Sequence, residues 1–234
     1  MPFPHRLAAT LVAVVATLLV PVLAAAPSQA GTASRVQQRL VDLGCRPGPA
    51  GGSGGARTVA ALVRFQSANR LPQSGRATTA TRSRLATATP TRCDRRPVPA
   101  RSGRGRRVVV SQQQNYLWLV GAHGRVLAQE PMVDNPRILR PGQYRAGSQC
   151  GRAARIAANS DYTGRYRLAR FVRFAPCGVG FHQIPTGRSG AQLHRDYLLG
   201  TDLRTSHGCI RLSREMSVRV WDFVTIGTTV VVVH

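Results

Sequence analysis

The sequence contains no lysine: all 33 residues of its Lys-plus-Arg total are arginine. That absence removes Schiff-base chemistry, a P-loop lysine and a Ser-x-x-Lys acyl-transfer site. Acid is scarce too, with nine Asp and Glu in 234 residues and a formal net charge of +24. Arginine in place of lysine, beside abundant alanine, matches a GC-rich codon composition. The arginines are spread along the chain, and no single stripe stands out except at residues 91–107. Cys-x-x-Cys, His-Glu-x-x-His and tight Cys/His clusters are absent, so neither a metal nor another cofactor is expected. Beyond residue 30 no run is long and apolar enough to span a membrane. At 43% hydrophobic and 18% charged, the chain still has enough apolar residues for one or two cores.

What is present begins with an address. Leu7 to Ala26 form an apolar run behind Arg6, with a small-residue exit through Ser28 and Ala30. Residues 1–30 read as a secretory signal or, uncleaved, as an N-terminal anchor, the one membrane contact expected. Export reassigns the charge, which then faces anionic envelope polymers rather than nucleic acid. It also makes the five cysteines four plus one. Cys45–Cys93 and Cys150–Cys177 are the expected pairs, closing loops of 48 and 27 residues. Each is worth about 3.5–4 kcal/mol in a chain-entropy account. Cys209 is left over.

Periodicity divides the chain in two. Residues 31–90 read as a small helical module: Val36, Leu40 and Leu43 at helical spacing, a glycine-rich turn, then a helix opened by Thr58 and a third capped by Thr78 or Thr79. Residues 91–107 are rich in Pro, Gly and Arg and read as a linker. Residues 108–234 are mostly β, with short runs such as RVVVS, NYLWLV and TTVVVV. Tyr116 and Trp118 read as strand core. One helix follows Ser213 as N-cap, with Met216, Val220 and Val224 stacked at i+4 and Trp221 packed beside them.

The chemistry gathers at residues 205–212, Thr-Ser-His-Gly-Cys-Ile-Arg-Leu. A thiol on a tight turn is exposed, and the turn's main-chain N–H groups face a developing oxyanion. An imidazole is the usual activator, and reactivity is then expected to rise below the free-thiol value of about 8.5. His207 lies two residues from Cys209, and His182 sits in the strand-like GVGFHQIP. His194 reads as a loop residue. Arg211 either braces the turn or meets substrate.

SHGCIRL, preceded 27 residues upstream by FHQIP, resembles the catalytic signature of the L,D-transpeptidases over roughly residues 106–234. The resemblance implies a mainly β, β-sandwich-like catalytic domain with a helix after the cysteine. It implies Cys209 as nucleophile, His182 as base and the Gln183 main-chain carbonyl as its orienter, where the family usually has a small residue. The His207, Gly208 and Cys209 N–H groups are the implied oxyanion donors, with Ser206 and Arg211 supporting the turn. VQQRLVDLG, Gly55-x-x-Thr58, Ala61 to Gln66, Leu71, Gly75 and Thr81 in turn resemble the three-helix peptidoglycan-binding module. Gly51, Gly52 and Gly54 stand where that pattern has Asp-Gly and an aromatic.

Together these imply a secreted, wall-associated enzyme that forms 3→3 cross-links between peptidoglycan stem peptides through a cysteine thioester. An L,D-carboxypeptidase using the same thiol, or an idle wall-binding protein, are the alternatives. Since the chemistry lies after residue 180, removing 31–105 is expected to spare turnover.

Overall fold

The computed structural model describes Met1 and residues 29–49, 55–203 and 206–234. Most of the expected leader at 1–30, the glycines of the turn at 51–54, and Thr205 lie outside the described residues.

Three helices, α1 (Gln29–Asp42), α2 (Ala56–Ala68) and α3 (Thr79–Ala86), form the module. Leu40, Leu43, Ala61, Leu62, Phe65 and Leu85 make its core. So small a core is marginal alone, and the Cys45–Cys93 disulfide lies within it. Helix α1 begins well before Val36. Thr78 caps α3 by accepting the Thr81 N–H. Thr58 does not cap α2: the helix starts earlier, after Gly55, and the Thr58 hydroxyl donates to the Pro47 carbonyl instead.

The remainder is two packed sheets. The first holds β1 (Arg107–Ser111), β2 (Tyr116–Val120), β3 (Val126–Pro131), β4 (Gly142–Arg145) and β9 (Thr229–Val233), in the order β3-β2-β1-β9-β4. The second runs β5 (Arg155–Ser160), β6 (Arg167–Ala175), β7 (Val179–Gln183), β8 (Ile210–Leu212). Between them lies one core of Val108, Val110, Leu117, Leu119, Val172, Phe174, Phe181, Ile210 and Leu212. Helix α4 (Arg214–Phe223) closes it with Met216 and Val220. Ser213 caps α4 by accepting the Met216 N–H, while its hydroxyl donates to Glu130. Three residues of strand therefore separate Cys209 from the helix.

Strand β1 is buried along its whole length, as a run of three valines requires when both sheet faces are covered. One face meets the core. The other presents Val109, Tyr116, Trp118 and Val120, with Val98 packed on them. The cover comes from the segment read as a linker, and it is not a solvated tether. Arg96 is 3% exposed, with its guanidinium on the carbonyls of Cys93, Arg64 and Gln114 and on the Ser67 hydroxyl. The Arg96 carbonyl accepts the Trp118 indole N–H, and the Asp94 carbonyl accepts the Tyr116 hydroxyl. Burial lowers the Arg96 guanidinium to about 9, which leaves it charged at neutral pH. Composition misleads here because the arginine heads are satisfied by main-chain carbonyls, which no residue pattern displays.

Arg64 of α2 completes the docking. It donates to the carbonyls of Cys45 and Arg46 on one side and of Tyr197 and Leu199 on the other.

Candidate active site

Alternation along three strands decides which side chains meet. Val172, Phe181, Ile210 and Leu212 enter the core, so their neighbours in sequence face the other way. The pairing sets Arg173 opposite Gly180 and His182 beside Arg211. Two cross-strand rows result: Phe171, His182 and Arg211 in one, and Arg173 and Gly180 in the next, which Cys209 joins from the turn before β8 through the Gly180 main-chain hydrogen bond to its thiol. Cys209 precedes Arg211 by two residues, on the chain that runs beside His182. A Cβ at Gly180 would lie 2.6 Å from the Val172 carbonyl oxygen and 2.7 Å from Phe171 Cζ, so that position is held bare.

His182 is 2% exposed and stacks on Phe171 at 6.1 Å between ring centroids. Its Nδ1 lies 2.5 Å from the Gln183 carbonyl oxygen. A carbonyl only accepts, so Nδ1 carries the proton and Nε2 keeps its lone pair. Burial pushes the imidazole down to about 4, the Gln183 carbonyl opposing and the Arg211 charge adding.

The Cys209 thiol donates to the Gly178 carbonyl at 3.4 Å. Burial raises its pKa, against the Gly180 main-chain hydrogen bond and the charges of Arg211 and Arg173. The resting pair is therefore a neutral thiol and a neutral imidazole. Desolvation works against the thiol reactivity expected below the free-cysteine value, and the nearby cations favour it.

The turn before Cys209 is held from the β3–β4 connection. Ser206 N–H donates to the Asp134 carbonyl, and Asn135 Nδ2 donates to the Ser206 carbonyl. Ser206 Oγ accepts the Gly208 N–H at 2.9 Å. That bond uses the Gly208 N–H within the turn, which removes it from the expected oxyanion donors and leaves those of His207 and Cys209. Gly208 has φ +116°, and a Cβ there would meet Ile138 at 2.8 Å, so glycine is required.

The His207 ring is exposed and packs edge-on against Tyr162, 6.1 Å between centroids. Arg211 is 6% exposed, with its main chain paired to Val133. His194 is buried in a loop, its Nδ1 near the Arg195 carbonyl. The Cys150–Cys177 disulfide joins the loop at 150 to the β6–β7 turn, next to the Gly178 carbonyl that holds the thiol. Among the described residues, no group of three His, Cys, Asp or Glu side chains is placed to hold a metal ion.

Phe171, Arg173 and Asp134 have no motif signal; only strand register and chain packing bring them here. Asp134 is 3% exposed and accepts from Gln112 Nε2 at 2.8 Å. Burial raises its carboxyl to about 6. A raised folded-state value gives stability that is complete below about 3.8 and lost as pH rises through 6. Asp134→Asn is thus expected to raise unfolding free energy at pH 7 by about 1–3 kcal/mol and to change it little at pH 4. Urea melts at the two pH values check this, and equal effects at both would refute it.

Comparison with known proteins places these observations. Residues 31–85 match the family model of a peptidoglycan binding domain, and residues 74–232 match YkuD, the L,D-transpeptidase catalytic domain. An L,D-transpeptidase structure from Xylanimonas cellulosilytica is 22% identical with a TM-score of 0.51, covering 86% of this chain and 93% of that one. One from Stackebrandtia nassauensis is 19% identical with a TM-score of 0.45, covering 86% and 90%. No curated protein matches. The second family match takes in the Arg96 segment as well as both sheets, the His182 strand and the Cys209 turn. The chain belongs to the YkuD family of L,D-transpeptidases.

Proposed function

We propose that this L,D-transpeptidase forms 3→3 cross-links, with Cys209 as nucleophile and His182 as base. One observation carries the assignment: His182 pairs with Arg211, two residues from Cys209, and its Nδ1 is tied to the Gln183 carbonyl, which leaves Nε2 able to receive a proton. Cys209 sulfur attacks the carbonyl of the L-centre residue in a donor tetrapeptide while its proton passes to Nε2. The tetrahedral oxyanion meets the N–H groups of His207 and Cys209. His182 returns the proton to the departing amine, D-Ala leaves and a thioester remains. An acceptor amine then attacks, its proton passes to His182, and the amide bond forms as the thiolate departs.

The helical unit at 31–90 holds the enzyme on glycan, and the catalytic unit spans 108–234. Residues 1–30 direct export, which agrees with two disulfides in the fold. The basic surface favours an anionic wall.

Mass spectrometry of muropeptides after incubation with the full chain tests the reading. Dimers linked 3→3 with loss of D-Ala support it. Tripeptides without dimers assign an L,D-carboxypeptidase instead, and unchanged tetrapeptides overturn both.

A further inference from the structure

Row two of the site contains a cation that the mechanism above does not use. Arg173 is 1% exposed, and its Nε donates to the Ala153 carbonyl at 3.2 Å. Its Nη1 is buried with no hydrogen-bond partner. A buried donor without a partner is costly, so its persistence calls for a reason. The guanidinium also lies 5.0 Å from the Phe171 ring, the same ring that stacks on His182. Gly180 pairs with Arg173, its main chain hydrogen-bonds the Cys209 thiol, and it has no side chain to screen one from the other.

We propose that Arg173 is a positioning residue for charge: it stabilises the Cys209 sulfur as a thiolate when the proton leaves, and again when the thiolate is the leaving group of deacylation. The need is set by the site itself. Burial disfavours the thiolate, and the neutral His182 offers no fixed positive charge. Among the described residues, the charges that act on Cys209 are Arg211 from β8 and Arg173 from β6, with His182 on β7 and with Asp134 on the segment that holds the turn. Arg211 lies in the His182 row, where its charge also opposes an imidazolium. Arg173 lies in the Cys209 row, out of line with His182, and so favours the anion with less penalty to the proton acceptor. The inference rests on Cys209 being the nucleophile.

The test uses full-length parent, Arg173→Met and Arg173→Lys, with a thermal melt of each. Iodoacetamide labelling of Cys209 is followed against pH. The iodoacetate-to-iodoacetamide rate ratio is taken in 0.5 M salt, where distant charges are screened. Arg173→Met should label about tenfold more slowly at pH 7 and lose preference for the anionic reagent, whereas Arg173→Lys should stay within about threefold of parent. A Met variant that folds with the parent's profile and ratio overturns the proposal. So does a Lys variant displaced as far as Met, since packing would then be the cause. If Met does not fold, the parent decides with Lys: a parent ratio no higher than that of a free cysteine peptide overturns the proposal. Labelling needs no wall substrate, so a failed muropeptide assay with a normal Arg173 series faults the transpeptidase reading alone.

Discussion

Cys209→Ala is expected to abolish thioester formation and cross-linking, while His182→Ala lowers acylation by about 10²–10⁴-fold. No lysine and no second free cysteine is available to replace the thiol among the described residues. The distinguishing measurement is the pH profile of acylation. Because burial holds His182 at about 4, the imidazole is an unprotonated base across the neutral range. The acid limb of kcat/KM should fall near pH 4, well below the ordinary histidine value of about 6.5. A limb at 6.5 would mean that the imidazole is solvated and does not occupy the position described.

Stability should carry the same signature. A depressed folded-state value gives stability that is complete above 6.5 and lost as pH falls through 4, about 3 kcal/mol in all. His182→Ala should remove that component of acid sensitivity. His207→Ala should leave both profiles unchanged, since its ring is exposed against Tyr162.

Arg96→Met should destabilise the whole protein by about 3–5 kcal/mol. Four guanidinium hydrogen bonds would be lost, together with the contact over the Tyr116 ring at 4.2 Å. The orphaned carbonyls of Cys93, Arg64 and Gln114 would then lie against a thioether. Arg95→Met, one residue away and exposed, should stay within about 0.5 kcal/mol. Paired denaturation curves make the comparison, and equal effects would show that Arg96 is not the clamp. Deleting 31–105 follows the same logic. It uncovers Tyr116, Trp118 and Val109, so the truncated enzyme should aggregate or lose turnover rather than retain it. An active, monomeric truncation would overturn that expectation.

The parts legible in the sequence are those with local signals. Ser213 and the i+4 stack after it define α4, and FHQIP reads as the strand that became β7. Cys209 stands out because the other four cysteines have partners. The illegible parts depend on register or on main-chain acceptors. Arg173 lies 36 residues from Cys209, and the Arg173–Gly180 pairing with the Gly180 hydrogen bond to the thiol brings them together. The motif marks Gly208 as an oxyanion donor, but in the folded turn its N–H is taken by the Ser206 hydroxyl. The segment around Arg96 reads as a tether because a guanidinium on carbonyls leaves no periodicity behind. Thr58 has a cap's chemistry but lies inside the first turn of α2.

Arg64 gives the enzyme a fixed reach. Its one side chain holds the carbonyls of Cys45 and Arg46 on the side of the helical unit and of Tyr197 and Leu199 on the other. An enzyme on a loose leash samples every neighbouring strand within the leash's radius. A braced one presents its nucleophile at a single offset from the strand it grips. On the function proposed above, acceptors at that offset are the ones joined, and the spacing of the wall bears on which strands are linked.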